Sequence, residues 1–202
     1  MQGIDIIFAI AVLIMSVVIH EVSHGYVAYA LGDPTAKMAG RLTLNPIRHL
    51  DPVGSILVPL VTSIFGFTFG WAKPVPYNPY NLRVGKWGPA YVAAAGPLSN
   101  LLVAIILGLT LRFGLVDGAA ASFLTLIVFI NILLAVFNLI PIPPLDGSGV
   151  LFALLPYRFQ YIENFMRQNF LLLIVLLIFF GGNLLGLLSG LAFRFITGFP
   201  LF

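Results

Sequence analysis

The chain has 202 residues, of which 60% are hydrophobic and only 8% charged, and its formal net charge is +3. Soluble domains carry about a quarter charged residues, so this composition, with a mean hydropathy of +1.05, predicts a polytopic membrane protein and excludes a soluble domain. The small net charge gives no indication of nucleic-acid binding. Cysteine is absent, which excludes disulfides, cysteine nucleophiles and thiolate metal ligands.

Apolar segments, taken in chain order, predict an all-α bundle of about four to six transmembrane or re-entrant helices. The first helix covers residues 4–31 and ends in a Gly-Asp-Pro turn. Two further full spans are predicted, one over residues 89–113 and one over residues 119–140. Two glycine-interrupted segments can either span or re-enter: residues 53–69 and residues 169–199. Without a repeat or a linker, residues 1–202 are expected to form one membrane-embedded domain.

The polar segments between the spans predict short extended or β segments on the cytoplasmic side. Residues 40–44 alternate polar and apolar side chains, as an exposed strand does, and prolines make residues 71–77 extended. Residues 157–168 read as a polar loop. Basic residues concentrate after the first span and in the later loops, so the positive-inside rule predicts an outside amino terminus.

Three ionisable side chains stand near the end of the first apolar segment, in the run His20-Glu21-Val22-Ser23-His24. Two histidines one turn apart share a helical face and can bind one metal ion, a spacing typical of zinc hydrolases. Glu21 then lies beside the ion, where its carboxylate can take a proton from water. Accidental spacing is the alternative, but ionisable side chains inside a membrane helix are costly and usually functional.

A catalytic zinc ion needs a third protein ligand, and Asp146 is the expected one. It follows an apolar span and a proline-rich break, where an unpaired carboxylate would be costly; a simple turn aspartate is the alternative. The predicted topology brings it to the membrane depth of His20 and His24. His49 and Asp51 are expected in solvated or capping roles. The remaining acidic residues after the first helix are assigned to turns and solvated loops: Asp33, Asp117 and Glu163.

With these motifs in order, the chain resembles the site-2 protease family of intramembrane zinc metalloproteases, specifically its compact prokaryotic members without an appended regulatory domain. The resemblance extends over nearly the whole chain. Its motifs are HEVSH at residues 20–24, LNP and LDPVG within residues 44–54, GPLSN at residues 96–100, and NLIPIPPLDG at residues 138–147.

The resemblance implies one zinc ion per chain bound by His20, His24 and Asp146, with Glu21 as general base and acid and Asn138 as a polar aid. It implies hydrolysis of peptide bonds within or near transmembrane helices of membrane-protein substrates, in the lipid bilayer of a prokaryotic cell, with the site towards the cytoplasm. An interhelical hydrogen bond is the alternative role for Asn138. The alternative function is a zinc transporter or metal-binding membrane protein without proteolytic activity. The oligomeric state is not indicated.

Overall fold

The computed structural model describes residues 3–64 and 72–200, and within them it is built from helices and irregular segments. Nine α-helices lie in these two ranges: α1 (Gly3–Ala30), α2 (Thr35–Met38), α3 (Val58–Ile64), α4 (Gly88–Arg112), α5 (Gly118–Asn138), α6 (Asp146–Leu154), α7 (Gln160–Gln168), α8 (Phe170–Phe180) and α9 (Gly182–Thr197). The expected all-α class is confirmed.

Three helices are long and apolar enough to cross a membrane, and the spans they provide are Ile6–Ala30, Gly85–Arg112 and Gly118–Asn138. A fourth span results if α7 and α8, which are bent by 73° at the break between them, are counted together. The chain is therefore a multi-pass membrane protein. The predicted helix ends agree to within a few residues, because glycine and proline turns terminate the apolar segments.

The second half of the chain is more helical than the sequence suggested. Residues 157–168, predicted as a polar loop, form a short 3₁₀ turn and then α7. Apolar residues recur at helical spacing in this segment, and Glu163 and Arg167 form an ion pair of 2.9 Å one turn apart. The tail is two helices, α8 and α9. In the segment 53–69, a π-helix (Pro52–Leu57) leads into α3, and residues 65–69 lie outside the described part.

One row of mostly small residues on α4 packs against the other spans. Its members are buried and spaced four apart: Gly88, Val92, Gly96, Asn100, Ala104 and Gly108. Four residues advance an α-helix by about 400°, so the row turns by about 40° at each step. It therefore contacts α1 at its beginning and α5 and α9 at its end.

No β-strand occurs in residues 3–64 and 72–200, so the strand predicted for residues 40–44 is wrong. The segment predicted to be extended, residues 71–77, is non-helical over residues 72–77, and Trp71 lies outside the described part. Gly40, at φ 64°, and Arg41 close the end of α2, with the Arg41 N–H donating to the Ala36 carbonyl. Residues 72–78, here called the strap, are extended but contain two prolines, which lack the N–H that a strand ladder requires.

One backbone hydrogen bond and several side-chain hydrogen bonds hold the strap. The Lys73 N–H donates to the His49 carbonyl at 2.9 Å, and the Arg41 guanidinium donates to the Lys73 carbonyl at 2.5 Å. At the other end, the Asn78 N–H donates to the Asp33 carboxylate at 2.6 Å. The strap is thereby fixed against the end of α1 and the loop that follows α2.

Candidate metal centre

Two histidines of α1 and the first residue of α6 bring three ligand atoms together. His20 Nε2 lies 2.9 Å from Asp146 Oδ2, and His24 Nε2 lies 3.4 Å from the same oxygen. The three residues can offer one ligand atom each within 4.8 Å of one another, and this is the only group of that kind in residues 3–64 and 72–200. The predicted trio is thus assembled from positions 126 residues apart.

A tight connection between α5 and α6 delivers Asp146 to the histidines. The chain turns after Asn138, with the Leu145 N–H donating to the Ile142 carbonyl at 2.9 Å. A Cβ on Gly147 would overlap the Leu139 carbonyl, so only glycine fits after the aspartate. Asp146 lies in the first turn of α6, where the helix dipole favours a carboxylate.

The far nitrogen of each imidazole is bonded to an oxygen of α4. His20 Nδ1 lies 2.7 Å from Asn100 Oδ1, and His24 Nδ1 lies 2.6 Å from the Val92 carbonyl. A carbonyl oxygen can only accept, so Nδ1 of each ring carries the proton and donates it. Each Nε2 is left with a lone pair that points towards Asp146.

This donor set fits a divalent cation. Two imidazole lone pairs and a carboxylate oxygen converge on one largely buried position, where they repel one another unless a positive charge lies between them. Two histidines and one carboxylate, with a position left open, form a ligand set of catalytic zinc. Space for the ion is kept on the α4 side by Gly96, because a Cβ there would lie 2.5 Å from both Nε2 atoms.

Glu21 lies next to this site and is bonded to the strap. Its Oε2 accepts a hydrogen bond of 2.8 Å from the Val75 N–H. Glu21 is half-buried and directly follows His20, so its side chain leaves α1 about 100° around the helix axis from that of His20. The structure therefore joins the predicted base to the strap, and the predicted ligands to α4 and α6.

The remaining sequence candidates lie outside the trio. Asn138 donates to the Leu134 carbonyl of its own helix at 2.9 Å, and its proposed role stays a prediction. His49 is only 2% exposed and donates from Nε2 to the Thr43 carbonyl at 2.8 Å, so a solvated role is wrong. Asp51 accepts from two backbone N–H groups at the start of the π-helix, which confirms the expected capping role.

Sequence reasoning missed a buried polar cluster behind His20. Asn100 is fully buried and Asn131 is 1% exposed, and the two amides are joined by a hydrogen bond of 2.8 Å. Both also bond to Ser16 of α1. The signal was present in the sequence, since each of the three is a polar residue inside a predicted apolar span, where polar groups need partners.

Asp33 forms a second buried polar centre, outside the spans. Burial by itself would raise the pKa of this carboxyl, but hydrogen bonds from Thr35, Asn81 and Asn78 outweigh burial and lower the pKa. The sequence assigned Asp33 to a turn. Its side chain also ties the end of α1 to the strap and the segment beyond it.

Comparison with known proteins gives one family. The family model described as Peptidase family M50 matches residues 115–182. YwhC of Bacillus subtilis (strain 168), provisionally named a zinc metalloprotease, is 43% identical over 158 residues, which are 74% of this chain and 69% of that protein. Rip2 of Mycolicibacterium smegmatis, also provisionally named a zinc metalloprotease, is 34% identical over 85% of this chain and 67% of its own length. No solved structure matches significantly.

Proposed function

The chain belongs to peptidase family M50, the site-2 proteases, and from that membership we propose that it hydrolyses peptide bonds within or near the transmembrane helices of membrane-protein substrates. The family membership makes it a zinc metalloprotease in a lipid bilayer. The proposal adds the ligands, the base and the substrate class. Its main support is that three convergent ligand atoms occur among described residues that include three apolar helices long enough to cross a membrane.

The position of the trio along the spans supports cleavage inside the membrane. His20 lies ten residues before the end of α1 at Ala30, which is about 15 Å along a helix axis. Its Nδ1 is bonded to a side chain of α4, which is bonded in turn to a side chain of α5. We propose that all 202 residues form one domain around this site, because the polar contacts of His20 already join three spans.

The proposed chemistry assigns His20, His24 and Asp146 as the zinc ligands. When bound, zinc would supply Lewis-acid activation of a water molecule at neutral pH. Glu21 would take the proton from that water and pass it to the leaving amine. One of its oxygens accepts from the Val75 N–H, and this bond orients the carboxylate. Asn138 would donate a hydrogen bond to the substrate near the reacting carbonyl.

A substrate helix has to unwind before its backbone can be cut, and an extended segment could bind the unwound form. The strap is the best such segment among the described residues, but it offers few free donors. Three of its N–H groups are bonded, to His49, Glu21 and Asp33, and Pro74 and Pro76 have none. We therefore expect substrate to pair with the strap only after the bond between Glu21 and Val75 opens.

The orientation in the membrane is part of the proposal. Basic side chains concentrate in the loop after α1, in the segment before α4 and around α7. The positive-inside rule then orients these loops towards the cytoplasm of a prokaryotic cell and the amino terminus outside. The chain has no native cysteine, so a cysteine introduced at Arg48 would report its side of the membrane, and labelling only from outside would reverse the assignment.

Zinc transport is the competing function, and the structure offers little for it. A transport path needs successive ligand groups, but in residues 3–64 and 72–200 only the trio of His20, His24 and Asp146 could hold an ion. A hydrolase, by contrast, needs one site and an adjacent base. The presence of Glu21 between the two histidines favours hydrolysis.

The substitution Glu21→Gln separates these functions. Because Gln is nearly isosteric and Glu21 is not one of the convergent ligands, the variant should keep its zinc but lose peptide cleavage. Zinc content and cleavage of a panel of membrane-helix substrates would be measured on purified wild type and variant, with Glu163→Gln on α7 as the matched control. A zinc-loaded Glu21→Gln protein that cleaves at the wild-type rate would refute the assigned base.

A further inference from the structure

We propose that Asn131 is a positioning residue of the metal centre, because it fixes, through Asn100, which ring nitrogen of His20 carries the proton. The relay runs from α5 through α4 to α1 and does not touch the ligand atoms. It rests on the proposed function in one respect, the assignment of His20 as a zinc ligand.

Backbone carbonyls determine how the Asn131 amide is oriented. Its Nδ2 lies 2.9 Å from the Ile127 carbonyl and 2.9 Å from Ser16 Oγ. A carbonyl only accepts, so the NH₂ group of Asn131 faces Ile127 and its oxygen faces Asn100. Asn131 is therefore an acceptor at that contact.

The same reasoning orients Asn100. Its Nδ2 lies 2.8 Å from Asn131 Oδ1 and 3.1 Å from the Ser16 carbonyl. Both partners accept, so both N–H groups of Asn100 are used and its oxygen faces His20. A flipped Asn100 would bring its oxygen against two acceptors and lose both hydrogen bonds.

The orientation of Asn100 decides the tautomer of His20. With its oxygen at 2.7 Å from Nδ1, the proton lies on Nδ1 and Nε2 is free to bind a metal. In the flipped form the NH₂ group would face Nδ1, and the proton would move to Nε2, where it blocks the ligand position.

Asn131 supplies one of the two contacts that oppose this flip. Ser16 supplies the other through its carbonyl, which no side-chain substitution removes. Both amides are almost completely inaccessible, so water does not replace a lost partner and each bond carries more weight than on a surface. Loss of the Asn131 oxygen should therefore allow the wrong His20 tautomer to be populated.

The test compares Asn131→Leu with Thr125→Val in the full-length protein, purified in detergent and stripped of metal. Thr125 is a matched control because it also lies on α5 and its hydroxyl bonds only to the Ala121 carbonyl of its own helix. Two quantities are measured: the Kd for Zn²⁺ by competition with a chelator, and the ¹⁵N resonances of the imidazoles in the metal-free protein. The resonances are recorded with Asp146→Ala added to each protein, because without a metal Asp146 Oδ2, 2.9 Å from His20 Nε2, would hold a proton on that nitrogen. Only three histidines occur in the chain, so the His20 signals can be assigned from a His20→Ala sample.

We expect the wild type and Thr125→Val to show an Nδ1-protonated His20 and Kd values within about twofold of each other. Asn131→Leu should show a mixture of tautomers and a Kd weakened about tenfold, the lower end of the effect of residues that orient metal ligands. A folded Asn131→Leu protein with the wild-type tautomer and an unchanged Kd would overturn the proposal. If that variant does not fold, Asn131→Ala decides by the same criteria.

The two readouts separate this inference from the proposed function. Failure of the wild type to bind zinc would overturn the ligand assignment. The tautomer of metal-free His20 would still show whether Asn131 controls it, because that measurement involves no metal.

Discussion

The two ends of the row on α4 are packed by different forces. Around Gly96 and Asn100, α4 meets α1 and α5 through hydrogen bonds among side chains that are almost fully buried. Around Ala104 and Gly108, the same helix meets α5 and α9 through an apolar cluster that includes the fully buried Phe193. We refer to these as the polar end and the apolar end of α4.

The apolar end only has to hold the helices together, whereas the polar end also has to fix the orientation of the histidine rings. In lipid, apolar contact between helices has no strong hydrophobic driving force, so the apolar end gains its stability from close van der Waals packing. At the polar end each hydrogen bond has a direction, and together these bonds fix ring orientations and protonation. Damage at the polar end should therefore appear in zinc binding, and damage at the apolar end in stability alone.

The largest expected effect comes from adding one methyl group at the polar end. In Gly96→Ala the new Cβ would lie 2.5 Å from Nε2 of both histidines, so the rings must move away from the ligand position. We expect zinc affinity to fall by more than about 100-fold, since a direct ligand shift exceeds the roughly 10–100-fold effect of outer partners.

The matched control for this change is Gly108→Ala, four residues after Ala104 on the same helix. There the added Cβ meets the Cγ2 methyl of Ile196, so α9 has to move away at a cost in stability. Chelator competition should find its zinc Kd unchanged. Equal zinc loss in the two alanine variants would break the distinction between the ends.

At the apolar end, Phe193→Ala should lower stability without changing zinc content. Phe193 is fully buried beside Val128 and Ile132, and its removal leaves a cavity. Large-to-small changes of this kind cost about 3–5 kcal/mol in soluble proteins, and we expect about 2 kcal/mol here because the transfer from water is absent. Thermal unfolding in detergent, with zinc analysis on the same samples, checks both statements. A drop in zinc per folded chain would contradict the separation.

A smaller effect is expected at Asp33, which tests whether every buried polar contact serves the metal. Its carboxylate accepts from the Asn78 N–H at 2.6 Å, and in the variant Asp33→Asn one of the two carboxylate oxygens is replaced by an NH₂ donor. This substitution should cost about 1 kcal/mol near neutral pH, the lower end of the range for a buried group that loses its partner, and leave the zinc Kd unchanged. Denaturation in detergent and chelator competition measure the two quantities.

The stability of the protein should depend on pH in a direction set by the lowered pKa of Asp33. Because the folded-state pKa of Asp33 is lowered, its contribution is present above the unfolded value of about 3.9 and is lost as the pH falls below that value through the folded pKa. The stability of the wild type should therefore decrease more steeply from about pH 5 to about pH 3 than that of Asp33→Asn. If the stability of the two proteins falls equally steeply with pH, Asp33 makes no pH-dependent contribution to stability.

Periodic and motif-based features of this structure were predictable from the sequence. The three spans follow from uninterrupted apolar length, and the spacing of His20 and His24 predicted a shared helical face. The convergence of Asp146 on them followed from counting spans. These features depend on local rules or on topology alone.

The features that were missed depend on side-chain partners far apart in sequence. Nothing local in residues 72–77 distinguishes a strand from a strap held by Arg41 and Asp33, because both are extended. The roles of Asn100 and Asn131 likewise exist only when α4 and α5 are packed together. The helix α7 was missed for a local reason, since its polar composition concealed an amphipathic spacing.

The central claim is that zinc is bound by the trio at the polar end, and the zinc content of Asp146→Ala tests it most directly. Asp117→Ala is the matched control, because Asp117 is exposed at the start of α5 and caps no backbone group. Elemental analysis of the purified proteins should give about one zinc per chain for the wild type and Asp117→Ala, and a sharply lower value for Asp146→Ala. Full zinc retention in Asp146→Ala would contradict the account.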